Sequence, residues 1–156
     1  MGGTNERPAG DADVGAEILA FWEVARVRAG VVRLVSVTGP DIHGTLVPPT
    51  WSAGEDPAEA DRFLARVLDG ATTASTTALA DLEGAGQPLP VRGDLAIVLD
   101  GAGHPGALIR TTEVRTARLD EAGADGVDVD GVGALAPDAP VVVERFELLY
   151  PRSSDR

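Results

Sequence analysis

The sequence predicts a single α+β domain in which helices come first and strands follow. Three observations carry this. Apolar residues recur at helical spacing twice before residue 70. After Pro90 the chain changes to runs of β-branched and apolar residues, the mark of strands. The length, 156 residues, suits one domain, which buries roughly 70% of its unfolded surface. Aromatics make up only 4%, so the core must be built from Val, Leu, Ile and Ala.

Taken in order, residues 1–13 carry Gly, Pro and charge without periodicity, and read as a flexible tail. The domain is expected over 14–152, with 153–156 as a second tail. From Val14 to Ala29, Ile18, Phe21, Trp22 and Ala25 recur at helical spacing, with Asp13 as the cap and Gly30 as the stop. Val31 to Val37 reads as a short strand or extended buried segment. Thr38 to Trp51 reads as a loop, because it holds Gly39-Pro40, Gly44 and Pro48-Pro49. Asp56-Pro57-Ala58-Glu59 combines an N-cap, a proline at the first helical position and a capping-box glutamate. Behind it Ala60, Phe63, Leu64, Val67 and Leu68 form one apolar face, and Gly70 stops the helix. A third, shorter helix is expected from about Thr73 to Leu82. Leu95 to Asp100, Ala107 to Thr112 and Val141 to Tyr150 read as strands, the second continuing as one long bent strand to Arg118. Residues 120–139 hold six acidic residues and little periodicity, which reads as an acidic surface loop.

Composition excludes several function classes. With no cysteine, disulfides, thiolate catalysis and zinc–thiolate sites are ruled out. No apolar run is long enough to span a bilayer, so no membrane role is expected. The N-terminus has no signal-peptide core, and a cytoplasmic location is the expectation. The net charge of −12 opposes generic DNA or RNA binding, since phosphate affinity comes from neutralising Lys and Arg. All 13 basic residues are arginine. No cofactor and no metal site are expected. Gly101-Ala102-Gly103-His104-Pro105-Gly106 matches G-x-G-x-x-G but leads into a strand instead of opening a helix, so it reads as a hairpin turn. Asp125, Asp128 and Asp130 before Gly131 lack the first ligand and the closing glutamate of a calcium loop. His43 and His104 have no partner at metal-ligand spacing, and nothing in the spacing supports a Ser75–His104–Asp triad.

One stretch is more specific. It reads Gly70-Ala71-Thr72-Thr73-Ala74-Ser75, then Leu82-Glu83-Gly84-Ala85-Gly86-Gln87-Pro88-Leu89-Pro90, then Gly93-Asp94, Val98-Leu99-Asp100-Gly101 and Ile109-Arg110-Thr111-Thr112-Glu113-Val114. Upstream stand Phe21-Trp22 with Ala25-Arg26, and Pro48-Pro49 with Trp51-Ser52 and Gly54. Downstream stands Val141-Val142-Val143-Glu144-Arg145-Phe146. In order and spacing these resemble the ASCH domain family over most of residues 15–152. The resemblance implies a PUA-like β-barrel with N-terminal helices. Members resembling N4-acetylcytidine amidohydrolase carry Gly-x-Lys-x-x-Thr and a downstream glutamate. There a desolvated amine serves as base for a hydroxyl or water that attacks an amide carbon. Here the lysine position is Thr72 and the threonine position is Ser75. A threonine hydroxyl does not accept a proton near neutral pH, and the guanidinium of Arg66 does not release one. The acidic, helix-bearing stretch that the family carries before its last strand is shortened, and its helix is expected to be missing.

The resulting expectation is a binding module for a nucleoside-like small molecule or a short RNA, without amidohydrolase activity. Its pocket is expected to be lined by Trp51, Thr72, Ser75, Glu83, Asp94, Arg110 and Glu144. Trp51 would stack on a base, Arg110 would pair with a phosphate or carboxylate, and Asp94 or Glu83 would accept from a nucleobase amine. The first alternative is a hydrolase of a modified nucleoside with rewired catalysis through Ser75 and Glu83. The second is a protein-interaction domain.

Overall fold

The computed structural model describes residues 9–31, 47–54, 56–124 and 135–152, with side chains from Asp13 onward. His43, most of the 31–46 stretch and the aspartates at 125, 128 and 130 lie outside the described residues. The elements are helices α1 (Ala9–Arg28), α2 (Pro57–Asp69), α3 (Leu79–Gly84) and α4 (Leu119–Ala124), and strands β1 (Thr50–Trp51), β2 (Ala74–Ala78), β3 (Leu95–Leu99), β4 (Pro105–Arg118) and β5 (Pro140–Tyr150). The class is α+β. No helix among the described residues is long and apolar enough to cross a membrane.

The strands form one mixed five-stranded sheet in the order β1-β3-β4-β5-β2. Only the β1–β3 pair is parallel, Trp51 lying beside Val98. The β4–β5 ladder is the longest, running from Leu108↔Tyr150 to Arg118↔Pro140 with two register shifts. Such bulges sharpen the right-handed twist. A closed barrel was expected from the family resemblance, but β1 and β2 do not pair, and the sheet among the described residues is open. β1 has two residues, too few to extend a ladder around the remaining gap.

The core alternates by face, as period-2 strands require. Trp22, Ala25 and Val31 of the α1 region pack on Ile97, Leu108 and Leu149. Phe63, Leu64 and Val67 of α2 pack on the other face against Val98, Ala107, Ile109 and Phe146. A smaller cluster joins Ala74, Ala122, Val141 and Val143, with Leu119 and Leu135 beside it.

α2 forms as its sequence dictates. The Asp56 carboxylate accepts from the Ala58 amide, Pro57 opens the helix, and Gly70 ends it at φ 77°. Three other expectations are corrected. α1 begins at Ala9, so Asp13 lies within the helix instead of capping it, and only residues 1–8 precede it. The helix expected over about 73–82 is instead strand β2 followed by the short α3. The run Thr72-Thr73-Ala74-Ser75-Thr76-Thr77 is rich in β-branched side chains, which lose rotamer freedom in a helix and fit a pleated sheet. Finally, a six-residue helix, α4, begins the acidic stretch that was read as loop throughout.

The Gly101–Gly106 segment is a hairpin turn, as its composition implies. The Asp100 carboxylate accepts from the amides of Ala102 and His104, and Gly103 takes φ 87°. The turn docks on the start of α2, where Asp61 accepts from the Gly101 amide at 2.7 Å. A Cβ at Gly101 would lie 2.2 Å from the Pro57 carbonyl oxygen. Gly101→Ala should therefore destabilise the protein by ~1–3 kcal/mol, the usual cost of overpacking. Gly15, inside α1 with nothing within 4 Å of its virtual Cβ, gives the opposite sign: Gly15→Ala should stabilise by ~0.5–1 kcal/mol. Urea denaturation midpoints of the two variants check both directions.

The same turn reaches α1. His104 Nδ1 and Glu17 Oε2 stand 2.7 Å apart. The hydrogen bond and charge of Glu17, helped by Asp100, raise the His104 pKa above its ordinary 6.5. Because the folded value is the higher one, this contribution is full below the unfolded pKa and fades as pH rises through the folded pKa. Wild type should therefore melt above Glu17→Gln on the acid side of pH 6.5. The gap should close in alkaline buffer. Melting curves across that range are the check, and a pH-independent gap would contradict the assignment.

Candidate ligand-binding cleft

The cleft lies where the sheet fails to close. Edge strands β1 and β2 face each other across it, and Trp51, Ser75 and Thr77 line both of its lobes. The inner lobe, about 330 Å³, is floored by Ile109, Thr111, Val142, Glu144 and Phe146, and roofed by the Gln87–Pro90 segment after α3. The outer lobe, about 810 Å³, opens between β2 and α2, where Glu59, Arg62, Phe63 and Arg66 meet Ser75, Thr76 and Asp81. Each lobe by itself falls within the size range of ordinary small-ligand sites.

Trp51 is 38% exposed. Its ring is set edge-on to Phe63, centroids 4.9 Å apart at 87°, and Phe63 in turn packs on Phe146. One edge of the indole is thus fixed by the core while the side chain keeps a free surface in the cleft. Opposite stand the hydroxyls of Ser75 and Thr77. Period-2 alternation turns these two side chains the same way on β2. Ser75 is in register with Glu144 and Thr77 with Val142.

The polar floor is organised by Thr111. Its hydroxyl, on a residue only 4% exposed, donates to Glu144. The Asp94 carboxylate accepts from the Val91 amide at 2.8 Å, closing the turn ahead of β3. The Asp94 carbonyl accepts from the Thr111 amide at 2.8 Å. Each acid in the inner lobe therefore has a protein donor among the described residues, and a carboxylate with one donor has acceptor capacity left for a ligand.

Of the residues expected from the sequence, Trp51, Ser75, Asp94 and Glu144 converge on the inner lobe. The other three do not. Thr72 is 8% exposed and lines neither lobe. Its offset of three from Ser75 would put both on one side of a helix, but here Ser75 belongs to a strand. Glu83 is exposed on α3, outside both lobes. Arg110 sits between Ile109 and Thr111 on β4, so alternation turns it away from the cleft. There its guanidinium pairs with Glu147, Nε to Oε1 at 2.8 Å. The residues not foreseen are Phe63, Thr77, Thr111 and the arginines of α2. Strand parity around Thr111, and the i, i+4 spacing of Arg62 and Arg66, were the signals available.

Residues 49–136, more than half of the chain, match the ASCH domain family. The protein belongs to that family. Two crystal structures share its fold. A DUF984-family protein from Enterococcus faecalis V583 is 24% identical, with a TM-score of 0.59 over 76% of this chain and 90% of that one. An ASCH domain from Lactobacillus crispatus JV V101 is 17% identical, with a TM-score of 0.58 over 83% of this chain and 96% of that one. No curated protein matches the sequence.

Thr111→Val tests the floor. It keeps the shape but strips the Glu144 carboxylate of its buried donor. A loss of ~0.5–1.5 kcal/mol is expected, the net worth of one hydrogen bond to a carboxylate that is only half-buried. Denaturant unfolding measures it, and an unchanged midpoint would show that Glu144 is fully satisfied by water.

Proposed function

We propose that the cleft binds a nucleoside, a nucleotide or an RNA fragment, and that the protein does not carry out the amide hydrolysis implied by its family resemblance. The observation that carries this is the half-exposed Trp51, fixed by Phe63 at the junction of the two lobes, facing the hydroxyls of Ser75 and Thr77. An aromatic face stacks on any base, and neighbouring polar groups then select among them. Glu144 and Asp94 are acceptors, which suits a base bearing an exocyclic amine, so cytosine, adenine or guanine over uracil. The family is of a PUA-like, RNA-binding type, which agrees with this reading. Hydrolysis lacks its base, since Thr72 holds the lysine position, is buried, and has no lysine anywhere in the chain to replace it.

A second reading rests on one contact. Ser75 is the cross-strand neighbour of Glu144. If the protein is a rewired hydrolase, its acid is Glu144, and Glu83 has no part in it. An interaction domain that used only its outer surface would not need an open cleft between its sheet edges.

Calorimetric titration with cytidine, adenosine, uridine and guanosine decides between them, together with an assay of cytidine release from N4-acetylcytidine. The amine-bearing nucleosides, cytidine, adenosine and guanosine, should bind better than uridine. Trp51→Ala should weaken the best binder by roughly tenfold or more, the size of one lost base stack. No release above the buffer blank is expected. Turnover abolished by Ser75→Ala would establish the hydrolase instead, and no binding to any of the four would refute the nucleoside site.

A further inference from the structure

We propose that the outer lobe is a phosphate subsite centred on Arg62, so that the preferred ligand is a phosphate ester of the nucleoside. This rests on the nucleoside reading of the inner lobe and extends it.

The argument is electrostatic. Among the described residues the inner lobe contains two carboxylates, Asp94 and Glu144, and no cation. A phosphate placed there would meet like charges in a partly desolvated space, which is costly. A base stacked on Trp51 in that lobe must therefore send its phosphate out past the shared rim of Ser75 and Thr77. The space beyond the rim is walled by α2, whose Arg62 and Arg66 stand one turn apart on the cleft side. Two acids, Glu59 and Asp81, line the same lobe. Arg62 has neither a salt bridge nor a side-chain hydrogen bond to any described residue, so its donors are open to an incoming anion. Arg110, the arginine the sequence suggested for this role, is held by Glu147 away from the cleft. A guanidinium meets phosphate oxygens in a bidentate fork, which an ammonium cannot reproduce.

Two sources supply this chemistry, a mononucleotide with a phosphomonoester and a strand with phosphodiesters. Titration of cytidine, cytidine 5′-monophosphate and the dinucleotide CpC separates them. At least one phosphate ester should bind about tenfold tighter than cytidine, the size of one charge-assisted hydrogen-bonded contact. Arg62→Ala should remove that advantage and leave cytidine affinity unchanged. Arg62→Lys should keep part of it, and Arg28→Ala, on the distant α1, should keep all of it. A gain for the monophosphate alone assigns the site to free nucleotides, and an equal gain for CpC assigns it to a strand. Esters no tighter than cytidine, or an advantage that survives Arg62→Ala, would overturn the subsite while leaving the base site standing. No binding by any of the three would remove both.

Discussion

The β4–β5 ladder is the constraint on which the rest depends. It is the longest pairing among the described residues, and both partners are central strands. β3 builds on one side of it and β2 on the other, so the positions of both sheet edges follow from its course. The two register shifts along it add twist where the sheet turns. That twist carries β2 round to face β1 across one open gap. The ladder also divides the core, sending Leu108 and Leu149 to α1, and Ala107, Ile109 and Phe146 to α2. The cleft floor is a continuation of the α2 side, where the small and polar residues Thr111 and Glu144 succeed the bulky ones. A pocket thus forms where the apolar packing ends, and α2 and the Gln87–Pro90 segment supply its remaining walls.

How much of this was legible in the sequence depends on how local the cause is. α2 could be read almost whole, because Asp56, Pro57, the 60/63/64/67 stripe and Gly70 each act within a turn of themselves. The hairpin at Gly101–Gly106 was equally plain. β2 was not, because Ser and Thr serve both as helix caps and as strand formers, and the choice between them was made by pairing with Val141–Arg145, nearly seventy residues away. Arg110 was misplaced for a simpler reason. It lies in a motif, but motif membership does not give strand parity, and parity turns Thr111 inward and Arg110 outward. Trp51, Ser75, Asp94 and Glu144 do line one lobe together, and each stands next to a structural signal: a loop end, an edge strand, a turn, a core strand.

The unclosed sheet also bears on solubility. Open edges present unpaired backbone groups and invite association with other chains. Here one edge is two residues long, and the other is a run of Ser and Thr bounded by α3. Short and polar edges are weak templates for pairing, so the same residues that give the cleft its hydrogen-bonding wall also limit edge-to-edge contact.

The overall acidity is compatible with the proposed nucleotide binding in the cleft once distance is considered. At physiological salt, exposed charges more than about 8 Å apart are largely screened from one another. A charge of −12 spread over the whole molecule therefore discourages a long polyanion, which must lie along many acidic patches at once. It acts far less on a ligand with one phosphate, whose energy is set by the few groups within that radius. In the outer lobe these include two arginines against two acids. On the proposed reading, the acidic surface and the local arginines favour the same class of ligand, a small molecule bearing one phosphate, or the exposed end of a strand whose remainder stays clear of the protein.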